Sequence, residues 1–133
     1  MSVWTHVAGV VRIDALRIPG VFSDSRSRIE ERIQPMPAGS EGPLSFFVYE
    51  NEIKSSLSAF TLTFFGDLRD YDLRDEQTEK ELRKWFALIT KGGMIRQAVM
   101  HVDCEPELFK RIIHRIHDAQ VEEIHVERET DDA

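Results

Sequence analysis

Residues 3 to 13 alternate with a period of two, and this pattern constrains the fold more than any other in the chain. Successive side chains of a strand point to opposite faces, so the period predicts one long strand. Gly9, in its middle, indicates a bulge or a close approach of another group to the backbone. One face would carry Val3, Thr5, Val7, Val11 and Ile13, and the other Trp4, His6, Ala8, Val10 and Arg12.

Further strands are predicted from composition. Segments 44–50 and 59–65 are rich in Phe, Val, Tyr and Thr, which suit a pleated surface, and they predict a hairpin with a long polar connection over 51–58. Residues 94–104 predict another strand, and 121–128 a last strand at the sheet edge. The Pro-, Gly- and Ser-rich segment 34–43 predicts a loop.

Three segments have the apolar spacing of a helix. The clearest stripe lies within 82–89, where apolar residues fall at relative positions 0, 3, 4 and 7. A second stripe over 108–116 predicts a C-terminal helix that begins near Pro106. A short helix carrying Ile29 and Ile33 is predicted after the Pro19–Gly20 break.

This order of elements predicts one α+β domain over residues 1–128. The first six elements match a ferredoxin-like split βαβ core, to which the C-terminal helix and strand are added. A doubly wound sheet is disfavoured because the hairpin interrupts the alternation of strands and helices. The alternative is a different antiparallel sheet packed by two helices. Residues 129–133 are expected to fray.

Composition limits the environment and the partners. The chain has 133 residues, a formal net charge of −7 and one cysteine, which suits a reducing compartment. The N-terminus lacks a signal-peptide pattern and no apolar run is long enough to span a membrane, so we expect a cytoplasmic protein without membrane contact. Acidic charge with interleaved basic residues also argues against nucleic-acid binding.

The segment GDLRDYDLRDE, residues 66–76, contains Asp-Leu-Arg-Asp twice. Its carboxylates would offer hard oxygen ligands to Mg²⁺ or Ca²⁺, although the spacing is not that of an EF-hand. The competing interpretation is that the acids pair with the arginines and favour the start of the following helix. The candidate metal ligands are Asp67, Asp70, Asp72 and Asp75.

A small anionic ligand, such as a nucleotide, is a second possibility. Arginines would bind its charge by bidentate hydrogen bonds, and an aromatic ring would stack on it. His6 shares a strand face with Trp4 and would serve as a general base or ligand contact. The candidate ligand-binding residues are Trp4, His6, Arg69, Tyr71, Arg74 and Arg96.

Other reactive side chains carry weaker signals. His101, His114 and His117 are a metal-capable set, but they are better explained as exposed or boundary histidines. Cys104 is better explained as a small buried hydrophobe. No nucleophile elbow, Walker A motif or dinucleotide-binding motif is present, so we expect no cofactor and favour binding over catalysis. A metal-dependent enzyme that uses the Asp-rich turn or the histidine set is the further alternative.

Two segments resemble small uncharacterised proteins of bacteriophages and prophages. These are SVWTHVAGVVRID at the start of the chain and AFTLTFFGDLRDYD in the middle. The resemblance implies a small accessory protein that acts by binding in an infected bacterium, with no particular activity. We expect a homo-oligomer, because a second copy can cover a sheet face that helices leave open. A host protein or a small anionic ligand are the other expected partners.

Overall fold

The computed structural model describes residues 2–16, 18, 24–54, 57–91, 94–105, 108–117 and 120–129, with 52–54 and the last two segments described by backbone alone. Within these ranges the protein is a mixed α+β structure with two helices and an antiparallel sheet. The elements are β1 (Trp4–Leu16), α1 (Arg26–Ile33), β2 (Ala38–Gly39), β3 (Gly42–Pro43), β4 (Ser45–Lys54), β5 (Leu57–Arg69), α2 (Glu76–Ile89), β6 (Met94–Glu105), β7 (Leu108–His117) and β8 (Gln120–Glu129).

Six strands form one sheet in the lateral order β4-β5-β1-β6-β7-β8, and every neighbouring pair is antiparallel. The predicted opening strand is therefore central, and the predicted last strand is confirmed at the edge. Strands β2 and β3 make a separate small hairpin within the predicted loop 34–43.

One face of the sheet and the two helices enclose the core. The alternation predicted for β1 is confirmed, because Thr5, Val7, Val11 and Ile13 are buried. The predicted stripe of α2 is also confirmed and packs on the same core. Of the helices that the structure describes, none is long and apolar enough to cross a membrane.

Gly9 is a site of close approach. A Cβ at this position would lie 2.1 Å from Cζ of Phe64, whose ring fills the space beneath the backbone. The irregularity in the pairing of β1 with β6 lies in β6, where Arg96 is an extra residue between the partners of Arg12 and Ile13. Of the two interpretations of Gly9, the close approach is the one observed.

The predicted C-terminal helix is wrong. Residues 108–117 form β7, which pairs with β6 from Gln97 opposite His117 to Cys104 opposite Lys110. The segment contains three isoleucines, whose branched side chains favour strands, and pairing with β6 satisfies its backbone groups along one side. Tertiary pairing thus overrides a helical spacing that spans only nine residues.

The hairpin of β4 and β5 is confirmed, but its predicted long connection is wrong. Pairing continues through Glu52 opposite Ser58 and Lys54 opposite Leu57, so most of 51–58 belongs to the strands. The longer pairing satisfies backbone groups that a loop would expose to solvent. Both strands consequently extend across the full width of the core.

Candidate functional site

The sheet face opposite the helices is the candidate site, and we call it the open face. No described helix or strand packs on it. Its outward side chains come from four adjacent strands, and directly paired residues form rows across them. The open face comprises Ser45, Phe47 and Tyr49 of β4, Thr61, Thr63, Phe65, Asp67 and Arg69 of β5, Trp4, His6, Ala8, Val10 and Arg12 of β1, and Gln97, Val99, His101, Asp103 and Glu105 of β6.

Three large aromatic side chains lie exposed on the open face. Phe47, Tyr49 and Phe65 keep 59%, 56% and 53% of their surface accessible. Phe47 is paired with Thr63, one row away from Phe65, so the two rings are diagonal neighbours on adjacent strands. Contiguous exposed aromatic surface of this kind is typical of an interaction site.

A histidine between two carboxylates marks one end of the open face. Nδ1 of His6 lies 2.6 Å from Oδ1 of Asp67, and its Nε2 lies 2.8 Å from Oε1 of Glu105. Asp67 lies directly opposite His6 on β5, and Asp103 lies directly opposite it on β6. Both ring nitrogens can donate only in the imidazolium form, so this geometry stabilises the charged ring.

The carboxylates raise the pKa of His6 above its usual value. The hydrogen bond to Asp67 is the largest cause, partial burial opposes it, and the hydrogen bond to Glu105 adds to it. A raised pKa contributes stability that is present in full below the unfolded pKa of about 6.5 and is lost as the pH rises through the folded pKa. The contribution is small because the side chain of His6 is 39% exposed.

We expect Asp67→Asn to lower the pKa of His6, because it removes the larger of the two carboxylate contributions. The measurement is an NMR titration of the His6 imidazole C–H signals in both proteins. Asp14→Asn removes an equal charge near the far end of the same strand and should leave the His6 titration almost unchanged. Identical midpoints in Asp67→Asn and the unsubstituted protein would show that the carboxylate does not hold the ring.

Trp4 and Arg69 adjoin the His6 cluster. They pair directly, and the guanidinium carbon of Arg69 lies 5.9 Å from the centre of the Trp4 ring, within cation–π range. Nε of Arg69 also donates to Oγ of Ser2 at 3.1 Å. Four of the predicted site residues, Trp4, His6, Asp67 and Arg69, are thus brought together at one end of the open face.

The other predicted metal ligands have separate roles. Oδ2 of Asp70 accepts from Oγ of Ser40 at 2.8 Å, and Asp70 adopts a φ of 60°. Asp72 binds Arg74 through Nη2 at 2.8 Å, which lowers the pKa of the carboxyl below its usual value. Asp75 caps α2 by accepting from the amide of Gln77. The contacts of Asp72 and Asp75 are those of the competing interpretation, in which acids pair with arginine or begin the helix, whereas Asp70 contacts a serine.

The other predicted ligand contacts lie away from the His6 cluster. Tyr71 is buried, and burial raises the pKa of its hydroxyl to about 12. Arg74 is held by Asp72, and Arg96 lies at the opposite end of the sheet with its Nε 3.4 Å from Asp14. No single site therefore collects the six candidate ligand-binding residues.

Metal-binding geometry is absent from the part of the chain that the structure describes, where no three His, Cys, Asp or Glu side chains could hold an ion together. Cys104 is buried, as predicted for a small hydrophobe. His101 is exposed on β6, and His114 and His117 lie within strand β7.

Sequence reasoning missed two features of the open face. Glu105 was not predicted as a partner of His6, since the two are 99 residues apart in sequence. The exposure of Phe47 and Phe65 was also missed, because strand composition alone does not say which face is covered. Alternation within 44–50 and 59–65 would have placed both residues on the side opposite the buried Val48 and Phe64.

Chemically, the open face combines apolar aromatic surface with a carboxylate-rich end, an arrangement suited to a protein surface and unfavourable to a small anion. No protein-family model, curated protein or solved structure matches the chain.

Proposed function

We propose that this protein is a non-enzymatic binding protein that self-associates through the open face. The observation that carries the proposal is the exposure of Phe47, Tyr49 and Phe65 on a sheet face that no described element covers. Leaving three aromatic rings in water forgoes the favourable burial of their apolar surface. Covering them with another protein surface recovers that free energy.

The size of the sheet suits a stable interface. Strands β7 and β8 extend the four strands of the open face to six, so five spacings give a width of about 24 Å, and nine residues along β1 give a length of about 30 Å. The enclosed area of roughly 700 Å² is close to the roughly 800 Å² per partner of a standard interface. Two sheets packed face to face also form a common architecture, with a core about 10 Å thick.

We expect Phe65→Ser to weaken self-association by about 10- to 100-fold, because burial of a Phe side chain contributes roughly 1.5–3 kcal/mol. Phe65 is 53% exposed in the single chain, so its replacement should leave the monomer folded. Sedimentation velocity over the micromolar range measures the change, and circular dichroism checks the fold.

The matched control is Leu88→Ser on α2, which removes a side chain of similar exposure, 50%, on the other side of the molecule. This variant should sediment like the unsubstituted protein. If the unsubstituted protein is a monomer throughout the micromolar range, or if both substitutions weaken association equally, the proposal is wrong.

We also propose a ferredoxin-like description for the first part of the fold. The elements β1, α1, β4, β5, α2 and β6 follow the βαββαβ order of such domains. The lateral order β4-β5-β1-β6 and the wholly antiparallel pairing support this proposal. Strands β7 and β8 extend the sheet beyond that core.

Small-anion binding is a second candidate, supported by the Arg69 guanidinium over the Trp4 ring. It ranks below self-association because Asp67 and Glu105 place negative charge beside those groups. A cytoplasmic location and a phage-type accessory role stay predictions from the sequence. A host protein is the other candidate occupant of the open face. A monomeric unsubstituted protein in the sedimentation experiment would favour that occupant.

A further inference from the structure

The open face is electrically polarised along its strands. The carboxylates of Asp67 and Glu105 both contact His6, so two negative charges surround one imidazolium and this cluster carries net negative charge. Arg12 lies six residues along β1 on the same face, a distance of about 20 Å. The His6 cluster and Arg12 therefore carry opposite net charge at two ends of the open face.

Arg12 has no ion-pair partner among the described residues. Its side chain is exposed, and its direct neighbours across the strands are Thr61 and Gln97. Asp14, the nearest acid along β1, lies two residues beyond the open face, where its Oδ2 is 3.4 Å from Nε of Arg96. With respect to the side chains that the structure describes, Arg12 thus presents an uncompensated positive charge at the end of the face remote from His6.

Two symmetric ways of stacking a second copy on this face differ in electrostatic energy. Closed dimers have a two-fold axis, which here must lie between the sheets and parallel to them. An axis along the strands keeps the His6 ends of the two copies together and brings carboxylates against carboxylates. An axis across the strands exchanges the two ends, so that each acidic end meets Arg12. The second arrangement is favoured because like charges in contact cost several kcal/mol.

We propose that two copies stack their open faces about a two-fold axis that crosses the strands at the level of Gly9, so that Arg12 of each copy completes the His6–Asp67 cluster of the other. This inference rests on the proposed self-association and names its partner and geometry. The usual angle of about 30° between packed sheets tilts the axis by about half that amount.

The same axis also buries the aromatic side chains against each other. Rotation by a half turn about this axis places the row of Ala8 and Phe65 of one copy over the row of Val10, Thr63 and Phe47 of the other. The lateral order of the strands is kept, so β4 and β5 lie over the same strands of the second copy. Phe65 of one copy then packs beside Phe47 of the other, and apolar and charged contacts agree on one arrangement.

A charge swap tests the inference through sedimentation equilibrium. Arg12→Glu should weaken the dimer by about tenfold or more, because it places like charges in contact. In the Asp67→Arg background the same Arg12→Glu substitution should strengthen the dimer and restore affinity to within about threefold of the unsubstituted protein. Arg12→Glu thus weakens the dimer in one background and strengthens it in the other. The strengthening cannot arise from loss of the Asp67–His6 hydrogen bond, because that bond is absent both from Asp67→Arg and from Asp67→Arg/Arg12→Glu.

Lys84→Glu is the matched control, because it makes the same charge change at an exposed position on α2. It should have little effect on association. If Arg12→Glu weakens the dimer in both backgrounds, or if Lys84→Glu weakens it equally, the proposed geometry is wrong. If Phe65→Ser produces monomers even so, self-association through the open face is supported and only the proposed geometry is wrong. A monomeric unsubstituted protein would overturn both proposals.

Thiol cross-linking with a short bis-maleimide reagent gives a second test that does not depend on charge. Residues 12 and 67 lie about 20 Å apart within one chain, beyond the reach of the reagent, but the proposed axis brings them to about 11 Å from each other between copies. The double variant Arg12→Cys/Asp67→Cys should therefore form a covalent dimer with the reagent, whereas Arg12→Cys alone should not. Native Cys104 is 2% exposed and should not react. Equal cross-linking of both variants, or none in the double variant, would overturn the geometry.

Discussion

Trp85→Ala is expected to lower the free energy of unfolding by about 3–5 kcal/mol, the usual cost of removing a large aromatic ring from a core. The ring is 7% exposed and meets Phe64 edge to face, with centroids 4.9 Å apart. Its Nε1 donates to the carbonyl of Ile33 at 2.9 Å. One side chain thereby connects α2 to the sheet and to the end of α1.

The loss should be largest for α1. This helix has only eight residues, and isolated helices of that length are not stable in water, so it depends on its packing against α2. Hydrogen exchange in Trp85→Ala should speed up in α1 more than in β1 or β5. Chemical denaturation measures the global change.

Two substitutions separate the contributions of Trp85. Trp85→Phe keeps most of the packing but leaves the Ile33 carbonyl without its donor, so it should cost about 1–3 kcal/mol. Leu88→Ala, on the exposed side of the same helix, should change stability by less than about 0.5 kcal/mol. A Trp85→Ala protein as stable as Leu88→Ala would contradict the packing of α2 described above.

The strands and helices with strong local patterns were predictable, whereas the strand β7 was not. In β1 and α2 one period dominates because a single face is buried, and both elements are confirmed. Residues 108–117 carry apolar residues at helical spacing together with β-branched ones, so local sequence does not decide between the two states. Pairing with the free edge of β6 selects the strand over the helix, and that edge exists only once the sheet has formed.

The candidate site was predictable in part for a related reason. Alternation alone places Trp4 and His6 on one face of β1. The partners Asp67 and Glu105 depend on the register of β1 against β5 and β6, which involves residues 61 and 99 positions away. A shift of one residue in either register would turn that carboxylate to the other face, and local sequence does not specify the register.

Gly9→Ala is expected to destabilise the protein by about 1–3 kcal/mol, because the added methyl group overlaps the Phe64 ring. The new Cβ would lie 2.1 Å from Cζ and less than 3 Å from two further ring carbons. Phe64 is 1% exposed and is held by Trp85 on its other side, so it cannot move away without disturbing the core. Ala38→Val, which enlarges an exposed strand residue, should change stability by less than about 0.5 kcal/mol.

A double-mutant cycle identifies the overlap as the cause. Phe64→Leu shortens the side chain beneath Gly9 and should itself destabilise the core by a loss of packing. In that background Gly9→Ala should cost much less than it does alone, since the ring atoms that the methyl group would overlap are gone. Chemical denaturation of the four proteins gives the coupling energy, which should be on the order of 1 kcal/mol or more for residues in contact. Additive effects would mean that overlap with Phe64 is not the cause of the destabilisation.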